Sequence, residues 1–168
     1  MKNHARNLMA ALFVANVVLD LASLFILPEK VAIHFRAGGA PDSWAPVMVN
    51  ALIFLGINIM MFFIFLLGPE MLGHLPPRLI HLPHSGYWLK KENIGEAKAR
   101  AMALTYEFCA VILAFLLVVM LLVIKANLSR PVKLDENLFL PAFAALMLYN
   151  LIWLFRLLKA FKLPRKQG

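Results

Sequence analysis

The sequence predicts an all-α membrane protein, a four-transmembrane-helix bundle with both termini in the cytoplasm. Hydrophobic residues make up 62% of the 168-residue chain, whereas a soluble domain is only about half apolar. The excess is concentrated in four stretches that reach the roughly 20 residues needed to cross a bilayer. Because loops of ordinary length separate them, we expect one domain over residues 1–168. The predicted spans are about Leu8–Leu27, Val47–Leu67, Met102–Ile124 and Leu138–Leu158.

The orientation of the spans follows from the basic residues. Short loops rich in Lys and Arg stay in the cytoplasm, so we expect the termini and the loop 68–101 inside and the loop 28–46 outside. Because the basic residues follow this alternation, the net charge of +8 indicates a lipid bilayer as partner and no nucleic acid. The cytoplasmic side carries most of the 17 Lys and Arg residues: Lys2, Arg6, Arg78, Lys90, Lys91, Lys98, Arg100, Arg156, Lys159, Lys162, Arg165 and Lys166.

Signals for other classes of protein are weak. The first apolar run is longer than the apolar region of a typical signal peptide, so we interpret it as a retained helix. The single cysteine, Cys109, excludes an intramolecular disulfide. His81 and His84 are separated by Pro83, so no helix holds their rings on one face and no metal site is predicted. We predict no cofactor and no catalytic residue.

The segment from Leu27 to Trp44 is the most distinctive of the chain. It reads LPEKVAIHFRAGGAPDSW. We expect a short extended piece at Val31–Phe35 and a turn at Ala37–Asp42, because glycines permit positive φ. His34, Asp42 and Trp44 are its candidate working residues. In the alternative, all three residues have structural roles. His34 bonds a backbone carbonyl, Asp42 caps a turn and Trp44 anchors the chain at the membrane interface.

Polar residues inside the predicted spans are a second candidate group. An ionisable group in hydrocarbon costs roughly 2.5–3.5 kcal/mol, yet Asp20 and Glu107 both occur there. Asp20 and Asn50 have two possible roles. Together with the outward loop 28–46, which we call loop one, they form a polar pocket that opens outward, or they make interhelical hydrogen bonds. For Asn58 and Asn150 we favour interhelical hydrogen bonds. Glu107 is expected near the inner interface or bonded to a neighbouring helix.

Two motifs carry a resemblance to a known family. Leu27-Pro28 is followed by His34-Phe35, then Gly39 and Asp42, and the second loop contains LPHSGYWL with Tyr87 and Trp88. This order resembles the DUF1648 family of bacterial membrane proteins, whose domain also begins the SdpI-like toxin-immunity proteins. The resemblance implies a multi-pass protein of the bacterial cytoplasmic (inner) membrane. Arg36 and His81 stand where the family usually has Asn.

Three functions remain open. The first is a non-enzymatic membrane protein of the DUF1648/SdpI-like type, in immunity or signalling. The second is an accessory subunit with a membrane-protein partner or a homo-oligomeric partner. The third is a membrane-embedded enzyme or transporter that uses His34, Asp42 or Asp20 as acid and base. Tyr87 and Trp88 fit the inner aromatic belt better than a catalytic pair.

Overall fold

A computed structural model describes residues 2–71, 74–76 and 79–163 of the chain. Residues 72–73 and 77–78 of the predicted loop 68–101 lie outside this range, as do the basic residues Arg78, Arg165 and Lys166. Four of the described helices are long and apolar enough to cross a membrane, which confirms the predicted class of four-helix membrane protein. The cytoplasmic position of both termini stays a prediction. The described elements are α1 (Lys2–Ile26), β1 (Lys30–Phe35), β2 (Pro41–Pro46), α2 (Val47–Met71), α3 (Ser85–Trp88), α4 (Ile94–Leu128) and α5 (Glu136–Ala160).

Helices α1, α2 and α4 form a three-helix core, because each packs against the other two. At one end of this core, Leu27 and the strand residue Val31 pack against Met120 and Ile124 of α4. We call this the hairpin end. Towards the other end, Met9 of α1 packs with buried side chains of α4. A polar stripe lies between these two apolar clusters and is described below.

Helix α4 is 35 residues long, which at 1.5 Å per residue gives about 50 Å. It therefore extends well beyond the hydrocarbon thickness of about 30 Å. The sequence places the start of the third span at Met102, and in the structure the same helix already begins at Ile94, within the predicted loop 68–101. Glu96 and Arg100 pair on its exposed face at 2.5 Å, as their spacing of four predicts.

Helix α5 is attached to the core through α4, and its described residues make no comparable contact with α1 or α2. Specific side chains fix it there. The indole nitrogen of Trp153 donates a hydrogen bond to the carbonyl oxygen of Leu104 at 3.0 Å. The Trp153 ring also packs on Phe108, with ring centroids 4.5 Å apart. The fourth span is therefore a peripheral helix held by a few contacts.

A bidentate ion pair joins α4 and α5. Both terminal nitrogens of Arg156 donate to the carboxylate of Glu107, and the Nη2–Oε2 distance is 2.8 Å. The hydroxyl of Tyr149 donates to the same carboxylate at 3.3 Å. Of the two positions expected for Glu107, the bond to a neighbouring helix is confirmed. The partner is Arg156, one of the basic residues that the charge pattern assigns to the cytoplasmic side.

We expect Glu107→Gln to destabilise the association of α5 with α4. The substitution removes the charge that holds Arg156, so it should lower the free energy of unfolding by about 1–2 kcal/mol. Glu96→Gln is the matched control, because it breaks an exposed pair within one helix and should cost at most about 0.5 kcal/mol. Reversible unfolding in mixed micelles measures both variants. Equal effects would contradict the interhelical role of Glu107.

Candidate functional site

Loop one folds as a β-hairpin, in which β1 and β2 pair antiparallel. The predicted extended piece Val31–Phe35 is confirmed as part of β1. The predicted turn ends too late, because Pro41 and Asp42 already belong to β2. Prolines at both ends of β2 argue against a strand in sequence, but here they occupy the strand termini, where a missing N–H is tolerated.

The turn of the hairpin requires its two glycines. Gly38 and Gly39 have φ values of 88° and 75°, in the left-handed region that glycine adopts without strain. The amide of Arg36 donates to the carbonyl of Ala40 at 3.0 Å, and the amide of Gly39 donates to the carbonyl of Arg36 at 2.9 Å. These two bonds close the turn.

Asn127, near the end of α4, holds the hairpin on the helical core. Its Oδ1 accepts a hydrogen bond from the amide of Ala32 at 2.7 Å, and its Nδ2 donates to the carbonyl of Ala32 at 3.0 Å. Nδ2 also donates to the carbonyl of Val123, one turn earlier in α4. Sequence reasoning missed this residue. Its only signal in the sequence is an asparagine at the polar end of an apolar helix.

The tip of the hairpin docks on the segment that precedes α5. The amide of Leu134 donates to the carbonyl of Gly39 at 2.9 Å, and the amide of Gly38 donates to the carboxylate of Glu136 at 2.8 Å. A Cβ atom at Gly39 would lie 2.3 Å from the carbonyl oxygen of Leu134. The approach of the two backbones therefore excludes any larger residue at Gly39.

An ion pair stabilises the segment on which the tip docks. The ammonium of Lys125 lies 2.7 Å from the carboxylate of Asp135. This bond holds the pKa of Asp135 below its ordinary value. Asp135 is therefore ionised at neutral pH and pairs with Lys125 as a carboxylate.

His34 and Asp42 pair with each other on the surface of the hairpin. The Nδ1 atom of His34 lies 2.6 Å from Oδ1 of Asp42, and their side chains are 68% and 40% exposed. The neighbouring strand residues Val31 and Ala32 are buried instead. Phe35, the next residue of the motif, is half-buried. The pair therefore lies on the exposed side of the hairpin.

Asp20 and Asn50 lie in the helical core and not with the histidine pair. Each is 2% exposed. Oδ1 of Asp20 and Nδ2 of Asn50 have no hydrogen-bond partner, so the predicted interhelical bonds are wrong for these atoms. The structure separates the candidate residues into an exposed pair and a buried polar group.

The interhelical hydrogen bonds predicted for Asn58 and Asn150 are also wrong, because both side chains bond their own helix. Nδ2 of Asn58 donates to the carbonyl of Phe54, and Nδ2 of Asn150 donates to that of Leu146. Both bonds stay within one helix at a spacing of four. An asparagine in an apolar helix can reach its own backbone, so its presence does not by itself indicate contact with a second helix.

Trp44 lies beside a groove between the hairpin and the segment before α5. The groove has a volume of about 510 Å³, and its walls include Pro41, Trp44, Val132 and Lys133. Trp44 is 43% exposed. Apolar walls with one basic group at the rim suit a ligand that carries both apolar and acidic groups.

Trp88 has a structural position at the opposite end of the bundle. It is fully buried, and its indole nitrogen donates to the carbonyl of Phe161 at 2.9 Å. The guanidinium of Arg100 lies 4.6 Å from the centre of its ring. The expectation that Trp88 belongs to an aromatic belt is therefore wrong, because its ring is enclosed by protein. Tyr87 is half-buried and packs edge-on against Trp88.

A second side chain binds the same carbonyl. Nδ1 of His84 donates to the carbonyl of Phe161 at 3.1 Å. The motif in loop two therefore closes the end of α5 and brings no reactive group to the hairpin. Within the described residues, no group of three or more His, Cys, Asp or Glu side chains is placed to hold a metal ion.

Comparison with known proteins identifies the first part of the chain. Residues 11–59 match the model of DUF1648, a domain of unknown function. The match covers 49 of the 168 residues, so the similarity to this family concerns this part of the chain. No curated protein and no solved structure is significantly similar to the chain.

The matched region, residues 11–59, comprises most of α1, the hairpin and the first half of α2. It contains both candidate groups, since Asp20, Asn50 and the pair of His34 with Asp42 lie inside residues 11–59. The predicted resemblance is confirmed over this range. The loop-two motif with Trp88 lies outside it, so its relation to the family stays a prediction.

Proposed function

We propose that the protein is a non-enzymatic, multi-pass protein of the bacterial cytoplasmic membrane whose hairpin end is a recognition surface used in immunity or signalling. The observation that carries this proposal is the groove beside Trp44. Its walls come from the hairpin and from the segment before α5. Gly38 and Gly39 join the two through hydrogen bonds to Glu136 and Leu134. The surface is therefore formed before any ligand binds, which reduces the cost of binding.

Charge at the hairpin end supports an acidic ligand. Three of the acidic groups there are engaged, since Asp42 bonds His34, Asp135 bonds Lys125 and Glu136 bonds the amide of Gly38. Among the described residues, no ion pair engages the exposed basic side chains Lys30, Arg36, Arg130 and Lys133. We infer that the ligand is an extracellular peptide segment with carboxylates and at least one apolar side chain.

The arrangement of His34 and Asp42 favours recognition over acid–base catalysis. The two groups are exposed and bonded to each other, and Asp20 lies in the core. A general acid or base must reach the proton that it transfers in a bound substrate, and Asp20 in the core cannot act on a substrate that contacts the exposed pair.

An accessory-subunit role has one observation in its favour. In α5 only 6% of the spanning segment is buried, against 39% in α4. A large part of α5 therefore faces either lipid or a membrane-protein partner. A stoichiometric partner that co-purifies with the wild-type chain and is lost on α5 substitutions would favour this second function.

Orientation is tested with single cysteines in a Cys109→Ala background. We expect Ser43→Cys to react with a membrane-impermeant maleimide in intact cells, because the hairpin end faces outward. Lys91→Cys is the matched control and should react only after the cells are opened. The reverse pattern would contradict the proposed topology and the recognition surface with it.

Immunity is tested with secreted, membrane-active acidic peptides applied to cells that express the chain. We expect expressing cells to survive at least one such peptide better than cells without the chain. The double variant Trp44→Ala/Lys133→Glu should lose the protection while it is expressed at the same level. The first substitution removes an apolar wall of the groove, and the second reverses the charge at its rim. Lys98→Glu, at the opposite end of α4, is the control. Protection that survives the groove substitutions would contradict the proposal.

A further inference from the structure

A stripe of buried polar side chains runs between α1 and its neighbours. On α1 the stripe contains Asn16, Asp20 and Ser23, whose spacings of four and three place them on one helix face. On α2 it contains Asn50 and Asn58, which are eight residues apart and share a face in the same way. All five residues are at most 2% exposed. Polar groups in membrane helices face protein in this manner when they serve a site or a packing contact.

Two other buried asparagines make hydrogen bonds that join separate parts of the molecule. Nδ2 of Asn16 donates to the carbonyls of Leu12 and Leu113 at 2.9 Å each, and Asn127 bonds both polar groups of Ala32. In contrast, Oδ1 of Asp20, Nδ2 of Asn50 and Oδ1 of Asn58 are buried without a partner. An unpartnered buried polar group costs about 1–3 kcal/mol.

Helix register places Asp20 between the two asparagines of α2. The rings of Phe13 and Phe62 stack with centroids 4.3 Å apart, which aligns the antiparallel helices. Counting along both helices from this contact sets Asp20 level with about Leu55. Asn50 is then about one helical turn nearer the hairpin end, and Asn58 is about one turn nearer the opposite end. The unpartnered atoms therefore follow one another along the stripe.

Asp20 has no charged partner among the residues that the structure describes. The apolar cluster at the hairpin end includes Leu19, the residue before Asp20. The elements that pack there contribute residues that are not titratable: Phe54 of α2, Met120 and Ile124 of α4 and Val31 of the hairpin. Within the described residues, no ion pair or hydrogen bond joins a charged side chain to Asp20. A buried carboxylate without a counter-charge is strongly unfavourable, so the group must carry a proton or a bound cation.

We propose that Asp20 is a site for a small monovalent cation, either a proton or an ion of the size of sodium, which reaches it from the hairpin end. The oxygen atoms of Asp20 and Asn58 are ligands of the kind that hard cations take. The amide nitrogen of Asn50 binds the water that accompanies the ion. The stripe therefore has two acceptors and one donor for a hydrated cation.

The cation reaches Asp20 from the hairpin end, because apolar side chains close the stripe at its opposite end. Beyond Asn58 the stripe meets the stacked rings of Phe13 and Phe62 and an apolar cluster around Met9. Towards the hairpin, Asn50 lies three residues after the start of α2. The path from the hairpin end to Asp20 is the shorter of the two and includes Asn50, and it runs beside the apolar cluster of Val31, Met120 and Ile124.

The experiment is infrared spectroscopy of the full chain in phosphatidylcholine vesicles. The carbonyl band of a protonated carboxyl is assigned by its loss in Asp20→Asn. If that variant does not fold, carbon-13 labelling of aspartate assigns the band, because the other two aspartates, Asp42 and Asp135, are ion-paired. We expect the band in choline chloride, with rapid deuterium exchange on transfer to D₂O.

Sodium chloride distinguishes the two cations. A band that disappears on addition of sodium identifies a sodium site, and a band that is unchanged identifies a proton site. A carboxyl that stays protonated but does not exchange for hours would overturn the proposal, because it would be sealed from water. A carboxylate that is ionised in choline chloride would also overturn it.

Matched variants test the path. Asn50→Leu should slow the exchange about tenfold, because it removes the donor that binds water on the proposed path, a contact worth about one ordinary hydrogen bond. Asn16→Leu removes a bonded asparagine of the same stripe and should leave the exchange rate unchanged. Thermal unfolding of each variant verifies that it is folded. Equal exchange rates in Asn50→Leu and the wild type would contradict the path.

Discussion

The hairpin end depends on one side chain amide, that of Asn127. Strand β1 packs on the helical core, and Val31 and Ala32 are fully buried. A buried strand edge needs partners for its N–H and C=O groups, because unpaired backbone groups are costly away from water. An asparagine amide has a donor and an acceptor side by side, so Asn127 satisfies both groups of Ala32 as a neighbouring strand would. The position of the hairpin over the core follows from this contact.

Other features of the molecule follow from that position. The hairpin tip reaches the segment before α5, so the contact between Gly39 and Leu134 links the core to the peripheral helix. Further along α5, Arg156 bonds Glu107 of α4. Just beyond the last turn of α5, the carbonyl of Phe161 accepts a hydrogen bond from the indole nitrogen of Trp88. The peripheral helix is therefore held at three levels by polar contacts. The hairpin also lies over the end of the core nearest Asp20, which makes it the natural boundary between the buried stripe and the aqueous phase.

The sequence predicts the spans well because length and hydropathy are local properties. It predicts the turn of the hairpin for the same reason, since Gly38 and Gly39 specify positive φ directly. The second strand is missed because its composition, PDSWAP, has little strand propensity, and only pairing with β1 makes it extended. Asn127 and Ala32 are 95 residues apart, and Glu107 and Arg156 are 49 apart. Such partners become visible only when the helices are packed.

The attachment of the hairpin is tested most directly by hydrogen–deuterium exchange of the amides of β1 in the full chain. In Asn127→Leu the bond to the amide of Ala32 is lost, so we expect exchange of the β1 amides to accelerate about tenfold or more, as the loss of about 1.4 kcal/mol implies. Asn150→Leu removes an asparagine bonded only within its own helix and should leave β1 protected. Unchanged protection of β1 in a folded Asn127→Leu variant would contradict the role of Asn127.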